Sequence, residues 1–175
     1  FGRIGQAVAK RCKGFDANIL VYDPFISEEV IKNNNYKKVE LKEGLQEADF
    51  ITIHMPLNKK TKNLISQKEL SNMKDNAIIV NTARGGIVNE KDLYYALKNK
   101  KILGAGLDVF EIEPPDPNNP LIKLDNILLT PHNAALTLEC RKRMSVETFE
   151  NIVYYLENNS KLNKQNIINK KILNL

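Results

Sequence analysis

Ala77-Ile78-Ile79-Val80-Asn81-Thr82-Ala83-Arg84-Gly85-Gly86 joins an apolar run without alternation to a polar, glycine-rich loop. A strand that meets water on one face alternates apolar and polar residues. An unbroken run reads instead as a strand covered on both faces, the habit of parallel sheets. Upstream, Ser66-Gln67-Lys68-Glu69 has the spacing of a capping box, in which the Ser and Glu satisfy each other's orphan amides, and opens a helix to about Met73. Downstream, Asn89 starts a helix that carries Leu93, Tyr94, Ala96 and Leu97 on one side. Helix, buried strand, loop and helix is the rhythm of an α/β sheet.

The rest of the chain repeats it. Arg3 to Lys13 reads as a helix with Ile4, Ala7, Val8 and Cys12 at helical spacing and Gly14 placed to end it. The run 18–23 is short, apolar and ends in Asp23; Ser27 then caps a short helix to about Lys32. Tyr36 to Val39 reads as a minor strand, Leu41 to Ala48 as a helix, and 50–54 as a strand closed by Met55-Pro56. Leu103 to Phe110 and 126–130 supply two more strands. A long helix from Thr137 to Glu157 should bury Phe149, Ile152, Val153 and Leu156. The predicted fold is a doubly wound parallel sheet with helices over both faces.

Composition narrows the function. The chain has 175 residues, 42% apolar and 27% charged, so it can bury a core and is neither disordered nor fibrous. No apolar run reaches the ~18–20 residues of a membrane-spanning helix. The net charge of +5 comes from Lys interleaved with Asp and Glu. Without a basic-aromatic stripe it reads as a solvated surface, not a nucleic-acid interface. Cys12 and Cys140 are far apart and in no Cys-x-x-Cys pair, which points to reduced thiols and the cytoplasm. The chain opens Phe1-Gly2-Arg3, with no initiator Met and no apolar leader region. It reads as part of a longer chain, so a leader further upstream stays open.

In a doubly wound sheet, ligands sit at the carboxyl ends of the strands. Gly2-Arg3-Ile4-Gly5 opens the first helix, and Asp23 ends the next strand eighteen residues past Gly5. That is most of a dinucleotide fingerprint: helix N–H groups for the pyrophosphate, and an acid for the ribose hydroxyls that repels a 2′-phosphate. It favours NAD over NADP. Both histidines follow strands, His54 before Met55-Pro56 and His132 within Thr130-Pro131-His132-Asn133. So does Arg84, whose two following glycines let the backbone approach a ligand. Asp108 ends Gly104-Ala105-Gly106-Leu107-Asp108, and Glu113 precedes Pro114-Pro115.

Three ordered segments carry a resemblance over essentially the whole chain: 81–86, then 106–110 with Glu113-Pro114, then Leu129-Thr130-Pro131-His132. They resemble the D-isomer-specific 2-hydroxyacid dehydrogenases, whose members include D-3-phosphoglycerate dehydrogenase and hydroxypyruvate reductase. The resemblance implies a Rossmann-like NAD-binding domain and hydride transfer between NAD(H) and a small 2-hydroxy or 2-oxo acid. It implies three catalytic residues. Arg84 binds the carboxylate through its guanidinium fork. His132 is the acid/base. Glu113 supports the imidazole, while the nearby Glu111 is set aside. Around the cofactor it implies Gly2, Arg3, Ile4, Asp23, His54, Pro56, Thr61, Thr82, Ala83, Arg84, Asp108 and His132, with His54 a shaping residue and no metal.

The resemblance further implies residues 1–136 as an NAD-binding domain incomplete at its start, its first strand missing. Residues 137–175 then form a helix and tail returning to a substrate lobe absent from this chain. A homodimer through the NAD-binding domain is expected. So is instability or inactivity of this stretch alone, because a missing central strand leaves its neighbours unpaired. Asn133 stands where many members have Gly or Ala, which leaves the subfamily open. The alternative is a non-catalytic, NAD-sensing binding protein of the corepressor kind, which can keep all three catalytic residues.

Overall fold

Every strand pairing in the computed structural model, which describes residues 1–157 and Ile167, is parallel. Among the described residues the order is α1 (Arg3–Lys13), β1 (Leu20–Val21), α2 (Glu28–Lys32), β2 (Lys37–Lys38), α3 (Leu41–Glu47), β3 (Phe50–Ile53), α4 (Gln67–Asn72), β4 (Ile78–Asn81), α5 (Glu90–Lys98), β5 (Gly104–Leu107), a 3₁₀ turn (Pro120–Lys123), β6 (Ile127–Leu129) and α6 (Leu138–Leu156). The elements follow the local signals. Ser66 gives its N–H and hydroxyl to the Glu69 carboxylate at 3.2 and 2.6 Å, and Asn89 caps α5 by accepting the Asp92 N–H at 3.0 Å. The 3₁₀ turn escapes the sequence pattern, because Asn119 capping a Pro-led turn leaves no periodicity to detect.

The sheet is in two pieces. β1 pairs with β2, and β3-β4-β5-β6 form a second sheet in that order. The register sets Ile51, Ile79, Ala105 and Ile127 in one cross-strand row and Ile53, Asn81, Leu107 and Leu129 in another on the same side. That side belongs to the main core, with Leu45 of α3, Leu70 of α4, and Leu93 and Leu97 of α5. Each fully buried Leu or Ile contributes about 1.5–3 kcal/mol. A helix cap is worth about 1 kcal/mol. Burial, not capping, therefore holds α5 in place.

The parallel, Rossmann-like sheet with flanking helices stands as the sequence predicts it, and among the described residues one side of β3–β6 is more exposed than the other. On the second side Phe50, Thr52 and Leu128 are exposed, and Ile78 and Val80 are only half-buried. The helices that close the main core, α3, α4 and α5, all serve one face. An apolar run marks a strand able to be covered; it does not supply the cover. The same reason corrects α6: Phe149, Ile152 and Leu156 are exposed and Val153 half-buried. The chain divides into two compact units, with the boundary between Asn133 and Ala134. The expected return of the tail from Asn158 lies outside the described residues. Among the described residues, no helix is long and apolar enough to cross a membrane.

Candidate active site

The ends of β4, β5 and β6 hold the side chains singled out as chemistry-bearing, and the closest pair comes from two loops. Glu113 and His132 meet at 2.7 Å, Oε2 to Nδ1. An ionised carboxylate only accepts, so Nδ1 carries the proton of this bond. The second Glu113 oxygen, Oε1, accepts the Phe110 N–H at 3.0 Å. The His132 bond and then the Phe110 N–H pull the Glu113 carboxyl below its ordinary 4.5, and the charge of Arg84 adds to this. Arg84 is therefore within electrostatic reach of Glu113. Its guanidinium donates through Nη1 to the Ala83 carbonyl at 2.6 Å and is otherwise exposed. The His132 side chain is about half exposed, open to a ligand.

His132 is also one of the few non-glycine residues with positive φ, at 51°. A left-handed backbone costs such a residue roughly 1–2 kcal/mol. Asp108 holds it from both sides. Buried at the end of β5, its Oδ1 accepts the Thr130 hydroxyl at 2.5 Å and the Asn133 N–H at 2.9 Å. Two bonds to a buried carboxylate, each worth about 1.5–3 kcal/mol, outweigh the strain. The resemblance puts Asp108 near the nicotinamide, and its bonds to Thr130 and Asn133 hold the turn that carries His132.

The first glycine after Arg84 makes a close approach within the chain itself. A Cβ on Gly85 would lie 1.7 Å from the Phe110 carbonyl oxygen and 2.7 Å from the Glu111 N. The close approach that needs glycine is to the chain's own backbone, and it joins the Arg84 loop to the loop of Glu113. Gly86 has φ 76°, the left-handed region that favours glycine. Glu111, set aside from the sequence, accepts the Glu90 N–H at 2.8 Å and takes no part in the pair.

Residues 1–134 match the family model described as "D-isomer specific 2-hydroxyacid dehydrogenase, NAD binding domain". The chain belongs to this family. It is 48% identical over 152 residues to the D-3-phosphoglycerate dehydrogenase of Archaeoglobus fulgidus, covering 87% of this chain and 29% of that protein. It is 47% identical to the glyoxylate reductase of Korarchaeum cryptofilum, covering 88% and 46%. The crystal structure of D-lactate dehydrogenase from Aquifex aeolicus complexed with NAD and lactic acid superposes with a TM-score of 0.84 at 32% identity, covering 95% of this chain and 54% of that one. The chain thus spans about half or less of each relative.

As a dehydrogenase NAD-binding domain, the chain has a donor set that suits NAD. The N-terminus of α1 sits between two strand ends: Phe1 lies against Asp23, and Gly5 lies beside the His54 side chain. Gly2, the N-cap, has open space where a Cβ would stand, and Arg3 and Ile4 are exposed beside it. Free N–H groups in open space fit a pyrophosphate. Asp23 folds the next turn with Oδ1, which accepts the Phe25 and Ile26 N–H groups at 2.8 and 3.3 Å. Burial pushes the His54 imidazole below its ordinary 6.5. Thr61 is engaged within its own loop, donating to the Pro56 carbonyl at 2.7 Å and accepting the Asn58 N–H at 2.8 Å. Thr82 is exposed and Ala83 half-buried on the Arg84 loop. Sequence reasoning passed over Asn81, the buried amide at the end of β4; its signal was a polar residue closing an apolar run.

Proposed function

We propose that the protein is an NAD-dependent oxidoreductase acting between a small D-2-hydroxy acid and its 2-oxo acid. The reading rests most on the Glu113–His132 bond, with Arg84 close enough to act on the same carboxylate. Arg84 binds the substrate carboxylate with two parallel N–H donors. Glu113 occupies Nδ1 of His132, which leaves Nε2 to give its proton to the carbonyl oxygen during reduction and to take it back during oxidation. The bound nicotinamide supplies or accepts the hydride. Asp23 selects the unphosphorylated ribose.

The test is NADH oxidation by the full-length protein with a panel of 2-oxo acids that includes glyoxylate and hydroxypyruvate. Arg84→Ala should raise the KM for the oxo acid about 10²-fold, the worth of a bidentate charged pair, and leave NADH affinity within threefold. Unchanged kinetics would remove Arg84 from the mechanism. NADH binding with no turnover across the panel would return the non-catalytic, NAD-sensing reading. We also place the protein in the cytoplasm, on its free Cys12 and Cys140, and as a homodimer through this domain. A light-scattering mass of one chain would refute the dimer.

A further inference from the structure

We infer that Asn81 is the positioning residue for Arg84, an assignment that rests on the function proposed above. Asn81 and Asp108 are the only polar or charged side chains fully buried among the described residues. Asn81 shares its cross-strand row with Ile53 and Leu107, where an aliphatic side chain would fill the space without needing partners. A buried amide left unbonded costs about 1–3 kcal/mol. Both ends of this one are bonded, and both bonds go to a single loop. Nδ2 donates to the Arg84 carbonyl at 2.8 Å, and Oδ1 accepts the Ala83 N–H at 3.0 Å. Its own carbonyl accepts the Asp108 N–H at 3.0 Å, which ties it to the next strand.

The two side-chain bonds span the peptide plane between Ala83 and Arg84 and so restrict the dihedrals that aim the Arg84 side chain. On the far side, Gly85 is seated against the Phe110 backbone. Arg84 is thus held between a buried amide and a steric stop. The amide serves the direction of the guanidinium, and its loss should be read in substrate binding.

The experiment uses the full-length protein. Asn81→Asp keeps the acceptor for the Ala83 N–H and sets a carboxylate oxygen against the Arg84 carbonyl, where a donor is needed. The KM for the oxo acid should rise at least tenfold, with kcat within threefold and NADH affinity within twofold. In an Arg84→Ala background the same substitution should add less than a twofold loss, because there is no guanidinium left to aim. An additive loss, an unmoved KM, or a change confined to kcat overturns the assignment. Wild-type protein that turns over no oxo acid refutes the dehydrogenase reading instead. The anchoring is then decided by amide hydrogen exchange, which Asn81→Asp should speed at least tenfold at Ala83–Gly85 and leave alone at 127–130. Equal exchange in the two proteins overturns it. Should the variant not fold, the Asn81 side-chain amide protons of the wild type decide: slow exchange supports the anchoring and free exchange overturns it.

Discussion

Glu113 shows how far one contact between residues reaches. Its carboxyl is held below 4.5 first by the His132 bond, then by the Phe110 N–H. A lowered carboxylate adds stability that is present above the unfolded value and lost as pH falls through the folded one. Because the group is more than a third exposed, solvent screens that gain and keeps it small. Replacing His132 by Gln should raise the Glu113 pKa back toward 4.5, as followed by NMR titration. A value that does not move would mean the bond is not formed in solution. At this scale it was the resemblance that picked out Arg84, Glu113 and His132 together. The role of Asn81 was not legible in the sequence. A side chain that bonds backbone two or more residues away leaves no periodic mark.

At the level of elements, strand ends and loops divide the labour. Each strand runs only as far as its neighbour pairs with it, which is why Gly104–Leu107 is shorter than the 103–110 reading. The residues shed at its end become the loop that carries Glu113. Gly85 locks that loop to the one after β4. Gly85→Ala would set its Cβ 1.7 Å from a backbone oxygen, and no rotamer change can relieve that contact. The substitution should cost about 2–4 kcal/mol, at or above the usual range for overpacking. A shift of the urea midpoint at unchanged slope would measure it. It should also lower kcat/KM by separating Arg84 from Glu113. A wild-type midpoint would show that the two loops move apart freely. Turn glycines are visible in sequence, but whether the close approach is to a ligand or to the chain itself is decided by what lies opposite.

Across the whole molecule, the described residues leave surfaces that an α/β domain ordinarily closes. β1 pairs only with β2 and β3 only with β4, while Phe50 and Leu128 are exposed on the open face of the sheet. Unpaired edges and an apolar face favour association over cooperative folding. Residues 1–175 should bind ANS and melt without a sharp transition. A single cooperative melt without dye binding from the 175 residues would refute this. Element order, helix starts and the residue types at the strand ends were set by the sequence, because caps, breakers and apolar period act between neighbours in the chain. Which atoms meet was decided only by tertiary structure: Glu113 on His132, Gly85 against Phe110, Asn81 beneath Arg84, one sheet face closed and the other open. Those contacts join residues far apart in the chain or need a partner for a face, and no local pattern encodes a partner.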